Sequence, residues 1–291
     1  MTADCYHVDG ELVPAEEATV SVRDRGFMYG DGAFETLRVY GGTPFEWDAH
    51  ADRLRRSCET LGFADALPPA ADLRERVVDT LAANDLTDAY AKLSVTRGVQ
   101  PGKLTPAEAV DPTVVVIVSE LPRGGVGGEP VWDEPASLGT VDRVRIPDAA
   151  VPAGAKTHNY LNGILARLDI RGSGHDEAIM CSGEGFLTEG ATSNLFFVAG
   201  GVLHTPASSL PLLPGVTRAV VLELAAAADV PTETGEYEPA ALDDATEVFV
   251  TNSTWEVRPV TAVDDREYAV GPVTRELRDA FDRRVEGLYD P

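Results

Sequence analysis

The chain carries three lysines, Lys92, Lys103 and Lys156, among 24 basic residues, and the rest are arginine. A lysine kept where arginine has replaced nearly every other one suits work that arginine cannot do. Its amine loses a proton readily and attacks a carbonyl to form a Schiff base. Lys156 stands in Ala155-Lys156-Thr157-His158-Asn159-Tyr160-Leu161-Asn162. Downstream lies Leu187-Thr188-Glu189-Gly190-Ala191-Thr192-Ser193-Asn194-Leu195-Phe196, a single carboxylate among apolar and hydroxyl residues. An amine and a buried carboxylate are what pyridoxal phosphate requires. One holds the aldehyde, and the other keeps the ring nitrogen protonated.

Elements of regular structure must position these groups. Ala33 to Tyr40 alternates as a strand and ends in the turn Gly41-Gly42. Asp48 suits the N-cap of a helix carrying Arg53, Leu54 and Leu61, and Asp72 to Ala83 reads as a second helix. Ala91 to Thr96 and Thr113 to Ser119 read as strands. The glycine-rich run from Pro122 to Pro130 is the best domain boundary, giving domains 1–121 and 131–291 joined by a linker at 122–130. Beyond it, a helix is expected from Thr157 to Arg171 with the apolar stripe Leu161, Ile164, Leu165 and Leu168, so Lys156 falls at a strand-to-helix junction. Ala178 to Cys181 and Gly185 to Thr188 form a hairpin. Asn194 to Val198 and Val202 to His204 continue the meander, which puts Glu189 at a strand end. Gly215-Val216-Thr217-Arg218 opens the apolar helix Ala219 to Ala228, and its outward N–H groups beside a hydroxyl make a phosphate seat. Val248 to Thr251 is a buried strand running into the turn Asn252-Ser253-Thr254-Trp255.

Composition narrows the functional classes. The 291 residues suffice for two modest domains with their own cores. The net charge of −24 repels nucleic acid and anionic membranes. So many carboxylates with so few lysines suggest adaptation to high salt, where self-repulsion is screened. Cys5, Cys58 and Cys181 are odd in number and widely spaced, which fits a reducing cytoplasm rather than disulfides or a zinc site. His7, His50, His158, His175 and His204 show no metal-ligand spacing, and neither a signal peptide nor a membrane span is visible. His50 and His158 read as structural.

Several motifs in order resemble the class IV aminotransferases, the fold-type IV pyridoxal-phosphate enzymes. They are Gly30-Asp31-Gly32-Ala33-Phe34-Glu35-Thr36, His50-Ala51-Asp52-Arg53-Leu54, the Lys156 segment, Glu189-Gly190 with Ser193-Asn194, Gly215-Val216-Thr217-Arg218, and Glu256-Val257 with Pro259-Val260. The resemblance covers almost the whole chain. It implies an α/β (α+β) fold, with a small N-terminal α/β domain and a larger C-terminal barrel-like domain, and a homodimer whose second subunit closes part of each site. It also implies residue roles. Lys156 carries the aldehyde and shuttles the proton, and Glu189 pairs with the pyridine nitrogen. Arg53, Val216, Thr217 and Ser253 or Thr254 hold the phosphate, and Tyr160 lies near the phenolic oxygen.

Within that family, branched-chain enzymes usually read Phe-Glu-Gly where this chain has Phe34-Glu35-Thr36. They also read Gly-Thr-Ala-Ala where it has Asn252-Ser253-Thr254-Trp255. The Arg-x-His carboxylate trap of D-amino acid enzymes is missing at Pro101-Gly102-Lys103-Leu104. Phe-Glu-Thr-Leu-Arg, Lys-Thr-x-Asn-Tyr-Leu and Thr-Asn-Ser look most like aminodeoxychorismate lyases, with a branched-chain or broad-specificity aminotransferase as the alternative. Phe34, Thr36 and Trp255 would then shape the substrate site, and Arg97 and Lys103 would meet substrate carboxylates.

Overall fold

A computed structural model describes residues 4–122, 132 and 134–289 of the chain. The expected linker, apart from Pro122, lies outside the described residues. The chain divides into two compact units: Met1–Arg123 with Ala155–Asn159 and Leu288–Pro291, and Gly124–Gly154 with Tyr160–Gly287. The Lys156 segment therefore groups by its contacts with the first unit, whereas sequence order places it in the second domain.

The first unit is an antiparallel sheet of β1 (Cys5–Val8), β2 (Glu11–Pro14), β3 (Gly32–Tyr40), β4 (Thr43–Pro44), β5 (Ala89–Thr96) and β6 (Val114–Glu120). The strand order is β2-β1-β6-β5-β3-β4. Its helices are α1 (Arg25–Tyr29), α2 (Trp47–Thr60) and α3 (Ala70–Ala83). Glu46 caps α2 in the left-handed region and Asp48 falls inside the first turn, so the helix begins earlier than its expected cap. Strand alternation sorts the residues of β3 and β5 onto two faces. Leu37 and Val39 pair with Ala91 and Ala89 and join Leu54, Leu73 and Val77 in a core against the helices. Phe34 and Thr36 pair with Ser94 and Lys92 on the opposite face, which is only half-buried.

The second unit comprises β7 (Ala136–Thr140), α4 (Leu161–Asp169), β8 (Glu177–Cys181), β9 (Leu187–Gly190), β10 (Asn194–Ala199), β11 (Val202–Pro206), α5 (Val216–Ala227), β12 (Thr232–Gly235), β13 (Glu247–Asn252), β14 (Glu256–Val263), β15 (Arg266–Glu267) and α6 (Pro272–Glu286). The pairings β10-β13-β14-β7-β8-β9 return to β10, so six strands close into a barrel. Leu138, Ile179, Leu195, Phe197, Val250 and Val260 are among the residues of its core. Glu247 accepts from the N–H groups of Val273 and Thr274 and from the Thr274 hydroxyl, which seats the start of α6 on β13.

Helix α4 is shorter than the expected Thr157 to Arg171. Thr157 forms a bridge to Ala33 and the His158 N–H donates to Gly32 O at 2.9 Å, so these residues extend the edge of β3 instead of joining a helix. The apolar stripe of α4 is also not core. Leu161, Ile164 and Leu168 are 57%, 54% and 41% exposed. Beside the helix a cavity of about 450 Å³ is lined by Tyr160, Ile164, Arg167, Leu168 and Thr192. Among the described residues no helix is long and apolar enough to cross a membrane, and no cluster of side chains could hold a metal ion.

Candidate active site

Within the first unit, Lys156 is fixed by its backbone. Its carbonyl accepts from Phe34 N at 2.9 Å, and its N–H donates to Ser57 Oγ at 2.9 Å. Ser57 Oγ in turn donates to the Arg53 carbonyl of α2 at 2.9 Å. This ties Lys156 to a strand and a helix at once and leaves its direction set by neither alone. Its Nζ stands 4.7 Å from the centre of the Phe34 ring. Thr36 lies two residues along the same face and hydrogen-bonds the side chain of Tyr90.

Beneath this face, on the helix side, Glu35 is almost wholly buried. Its carboxylate receives Arg53 Nε at 2.9 Å, Arg53 NH2 at 2.5 Å and His50 Nδ1 at 2.7 Å. Burial pushes the Glu35 carboxyl upward, but the Arg53 charge and hydrogen bonds prevail and bring it down to about 2. Burial in turn lowers His50 and keeps it neutral, against the pull of Glu35. His50 is thus part of the scaffold, and the geometry of Arg53 is set by Glu35.

Arg97 and Lys103 are not placed as substrate carboxylate ligands. Arg97 is buried, with Nε and NH2 on Asp31 at 2.8 and 3.1 Å, NH2 on Leu61 O at 2.5 Å, and its guanidinium 4.9 Å over Phe63. Asp31 also receives Arg25 Nε at 2.7 Å, and Arg25 reaches the carbonyls of Lys103 and Leu104. Burial raises the Asp31 carboxyl, and the two arginines overcome that and lower it. The ion-pair knot uses the Arg97 charge to fasten the loop that carries Lys103, whose own side chain is exposed.

In the second unit Glu189 is the penultimate residue of β9. One carboxylate oxygen accepts from Arg145 Nε at 2.7 Å. The other accepts from Leu213 N at 3.0 Å and Asn194 Nδ2 at 3.3 Å. Asn162 on α4 holds Arg145 and Ile146 N through its Oδ1 at 3.2 and 3.0 Å. Asn194 also donates to Leu213 O at 3.0 Å, so one amide links the carboxylate to the segment entering α5. A side chain on Gly215 would meet Asn194 Oδ1 at 1.9 Å, which requires glycine there. Gly215 gives α5 no side-chain cap, and Val216 and Thr217 are the buried first residues of the helix, the arrangement that receives an anion.

Register sets Glu189 opposite Asn194 and Asn194 opposite Thr251, so the carboxylate and the turn after β13 lie in one row across the barrel wall. In that turn Asn252 Oδ1 accepts from Thr254 N, Thr254 Oγ1 and Trp255 N at 3.0, 3.0 and 2.7 Å. Trp255 differs from its expected place at the substrate. Its ring packs partly buried on the barrel core, with Arg258 4.8 Å above it. Tyr160 precedes α4 and lines the cavity beside it.

Sequence reading did not single out Arg145, Asn162 and Asn252. Their partners are distant in sequence or local to a turn, and nothing in an isolated arginine or asparagine marks them. Lys92 carried a signal, the scarcity of lysine, that was applied to Lys156 alone.

A catalytic amine on one unit and a clamped carboxylate beside a helix N-terminus on the other define the class: an enzyme built around an aldehyde cofactor with an anionic tail. The family profile described as Amino-transferase class IV matches residues 32–263, and the chain belongs to that family. A Methanocaldococcus jannaschii protein provisionally named a branched-chain-amino-acid aminotransferase is 36% identical over 282 residues, covering 94% of each chain. The branched-chain aminotransferase structure from Thermoproteus uzoniensis, with norvaline, superposes with a TM-score of 0.89 at 29% identity, covering 98% of this chain and 96% of that one. The 4-amino-4-deoxychorismate lyase structure from Pseudomonas aeruginosa gives 0.80 at 34% identity, covering 94% and 97%. The cofactor of this enzyme is pyridoxal 5′-phosphate. The donor set fits it: an amine, a carboxylate clamped by three donors, and an uncapped helix start.

Proposed function

We propose that the protein is a 4-amino-4-deoxychorismate lyase that releases pyruvate and 4-aminobenzoate. The observation that carries this reading is the half-buried face of β3 and β5 next to Lys156. It bears Phe34, Thr36, Tyr90 and Lys92, a polar and cationic surface rather than an aliphatic slot. Such a surface suits a cyclic substrate with charged groups better than a leucine side chain.

When bound, pyridoxal phosphate supplies the electron sink for the carbon that loses its proton. Lys156 holds the aldehyde until the substrate amine displaces it, and its freed amine then takes the C4 proton. Glu189, kept anionic and oriented by Arg145, Asn194 and Leu213 N, faces the ring nitrogen and stabilises its proton. Arg53, aligned by Glu35, serves the phosphate together with the N–H groups of Val216 and Thr217 and the hydroxyl of Ser253 or Thr254. Tyr160 faces the phenolic oxygen. The exposed stripe of α4 supports a homodimer in which a second copy covers Leu161, Ile164 and Leu168. Three free cysteines and the strongly acidic composition support a reducing, salt-rich cytoplasm as the setting.

A second reading, amino transfer from a branched-chain amino acid to 2-oxoglutarate, is supported by the 36% identical relative. One experiment separates them. The purified protein is incubated in high salt with aminodeoxychorismate, and separately with leucine plus 2-oxoglutarate. Formation of 4-aminobenzoate is the expected result. Glutamate formation without 4-aminobenzoate would replace the lyase reading with the second.

A further inference from the structure

Two of the three lysines in the chain meet at one aromatic ring. Lys92 lies on β5 opposite Thr36, and its Nζ stands 4.8 Å from the centre of Phe34. Lys156 Nζ stands 4.7 Å from the same centre. His158 is the third group at this ring, its imidazole 5.9 Å from Phe34 between centroids. His158 Nε2 is buried and has no hydrogen-bond partner among the described residues. Lys92 enters no ion pair among the described residues.

This arrangement is unfavourable by itself. Burial, and then the charge of Lys156, lower Lys92 from its ordinary value. Burial, and then the charge of Lys92, push His158 down to about 4. A half-buried ammonium facing a second amine needs an anion, and an orphaned buried nitrogen needs a partner. Nothing in the described chain supplies either.

We propose that Lys92, with His158 beside it, binds a second carboxylate of the substrate, one remote from the group that reacts at Lys156. The proposal rests on Lys156 as the reactive amine and is independent of whether lysis or amino transfer follows. A carboxylate here accepts from the Lys92 ammonium. Its negative charge also favours the form of His158 in which Nε2 carries a proton and donates. Phe34 forms the floor that separates this carboxylate from the reacting carbon. The chemical class is therefore a dicarboxylic amino or oxo acid, cyclic or linear. A purely aliphatic side chain would lay hydrocarbon against the ammonium.

The test uses unreactive acids on the cofactor-loaded enzyme. Glutarate and pentanoate share a carbon count and differ by one carboxylate, and calorimetry gives the Kd of each. The wild type should prefer glutarate by roughly ten- to a hundredfold, the range of a charge-assisted hydrogen bond. Lys92→Met and Lys92→Gln should erase the preference and leave pentanoate binding unchanged, Lys92→Arg should retain most of it, and His158→Phe should reduce it a few-fold. Melting curves of each variant serve as the folding control. Equal affinities in the wild type, or a preference that survives both neutral replacements, would overturn the proposal. Borohydride reduction of the loaded enzyme followed by peptide mapping tests the reading beneath it. A label on a residue other than Lys156 removes that reading. A label on Lys156 with no Lys92-dependent preference removes this proposal alone.

Discussion

Glu35 in the first unit and Glu189 in the second are both buried, and each accepts from an arginine Nε, at 2.9 and 2.7 Å. Their settings differ. Glu35 takes all its described partners from α2, a helix that follows it closely in sequence, and its side chain is 1% exposed. Glu189 draws on Arg145, Asn194 and Leu213, three separate segments of chain, and is 8% exposed. A carboxylate sealed by neighbours on one helix holds a strand to that helix. A carboxylate clamped from three directions at a strand end has its orientation fixed, which a site needs more than a core does. The contrast distinguishes a buried charge that supports the fold from one that serves chemistry.

The largest expected effect falls on the group that both carboxylates serve. Lys156→Ala should lower turnover by about ten-thousandfold or more, on the order of 5 kcal/mol of barrier. It should also remove the yellow, borohydride-reducible adduct. Retention of that adduct on Lys92 or Lys103 would show that the wrong amine has been assigned.

Glu35→Gln leaves Arg53 buried without its counter-charge and should destabilise the protein by about 3–5 kcal/mol. That lowers the melting temperature by roughly 10 °C. Glu189→Gln should do the reverse. Turnover should fall by about a hundredfold, on the order of 3 kcal/mol, while melting moves less than in the Glu35 variant and cofactor still binds. Similar melting losses with near-normal turnover for both would dissolve the distinction between them.

Acid titration sharpens the same comparison. Glu35 has a folded value of about 2 against an ordinary 4.5. Its contribution is complete above pH 4.5 and is lost as pH falls from there toward 2. The loss amounts to about 3 kcal/mol. His50, also lowered by its burial, acts in the same direction from its ordinary 6.5 downward. Denaturant unfolding of wild type and Glu35→Gln should therefore converge in stability as pH drops from 4.5 to 2. Parallel curves across that window would mean that Glu35 is not the group titrating.

The smallest effect concerns Trp255. Because its ring packs on the barrel core under Arg258, Trp255→Ala should cost about 2 kcal/mol of stability. The ratio of lyase to leucine-transaminase activity should shift little. A large gain in leucine turnover would place the ring back at the substrate.

The alternating pattern of β3, the hairpin before Glu189 and the helix after Gly215 were legible because apolar periodicity reports which face is buried. The start of α4 was not. Thr157 and His158 continue the helical pattern in sequence, yet they are taken up by hydrogen bonds to Gly32 and Ala33, far away in the chain. Arg97 misled for a similar reason. A guanidinium near a putative substrate segment and one clamped by Asp31 look alike until the partner is seen.

The sequence by itself determined the reactive amine, the carboxylate, the phosphate-seating helix and the family, because each depends on residue type in a local motif. Tertiary structure decided which side chains surround them. Whether an arginine meets a substrate or an aspartate, whether a tryptophan faces a pocket or a core, and whether two lysines share one ring depend on strand register and long-range packing. Those contacts join residues whose separation along the chain carries no record of their distance in space.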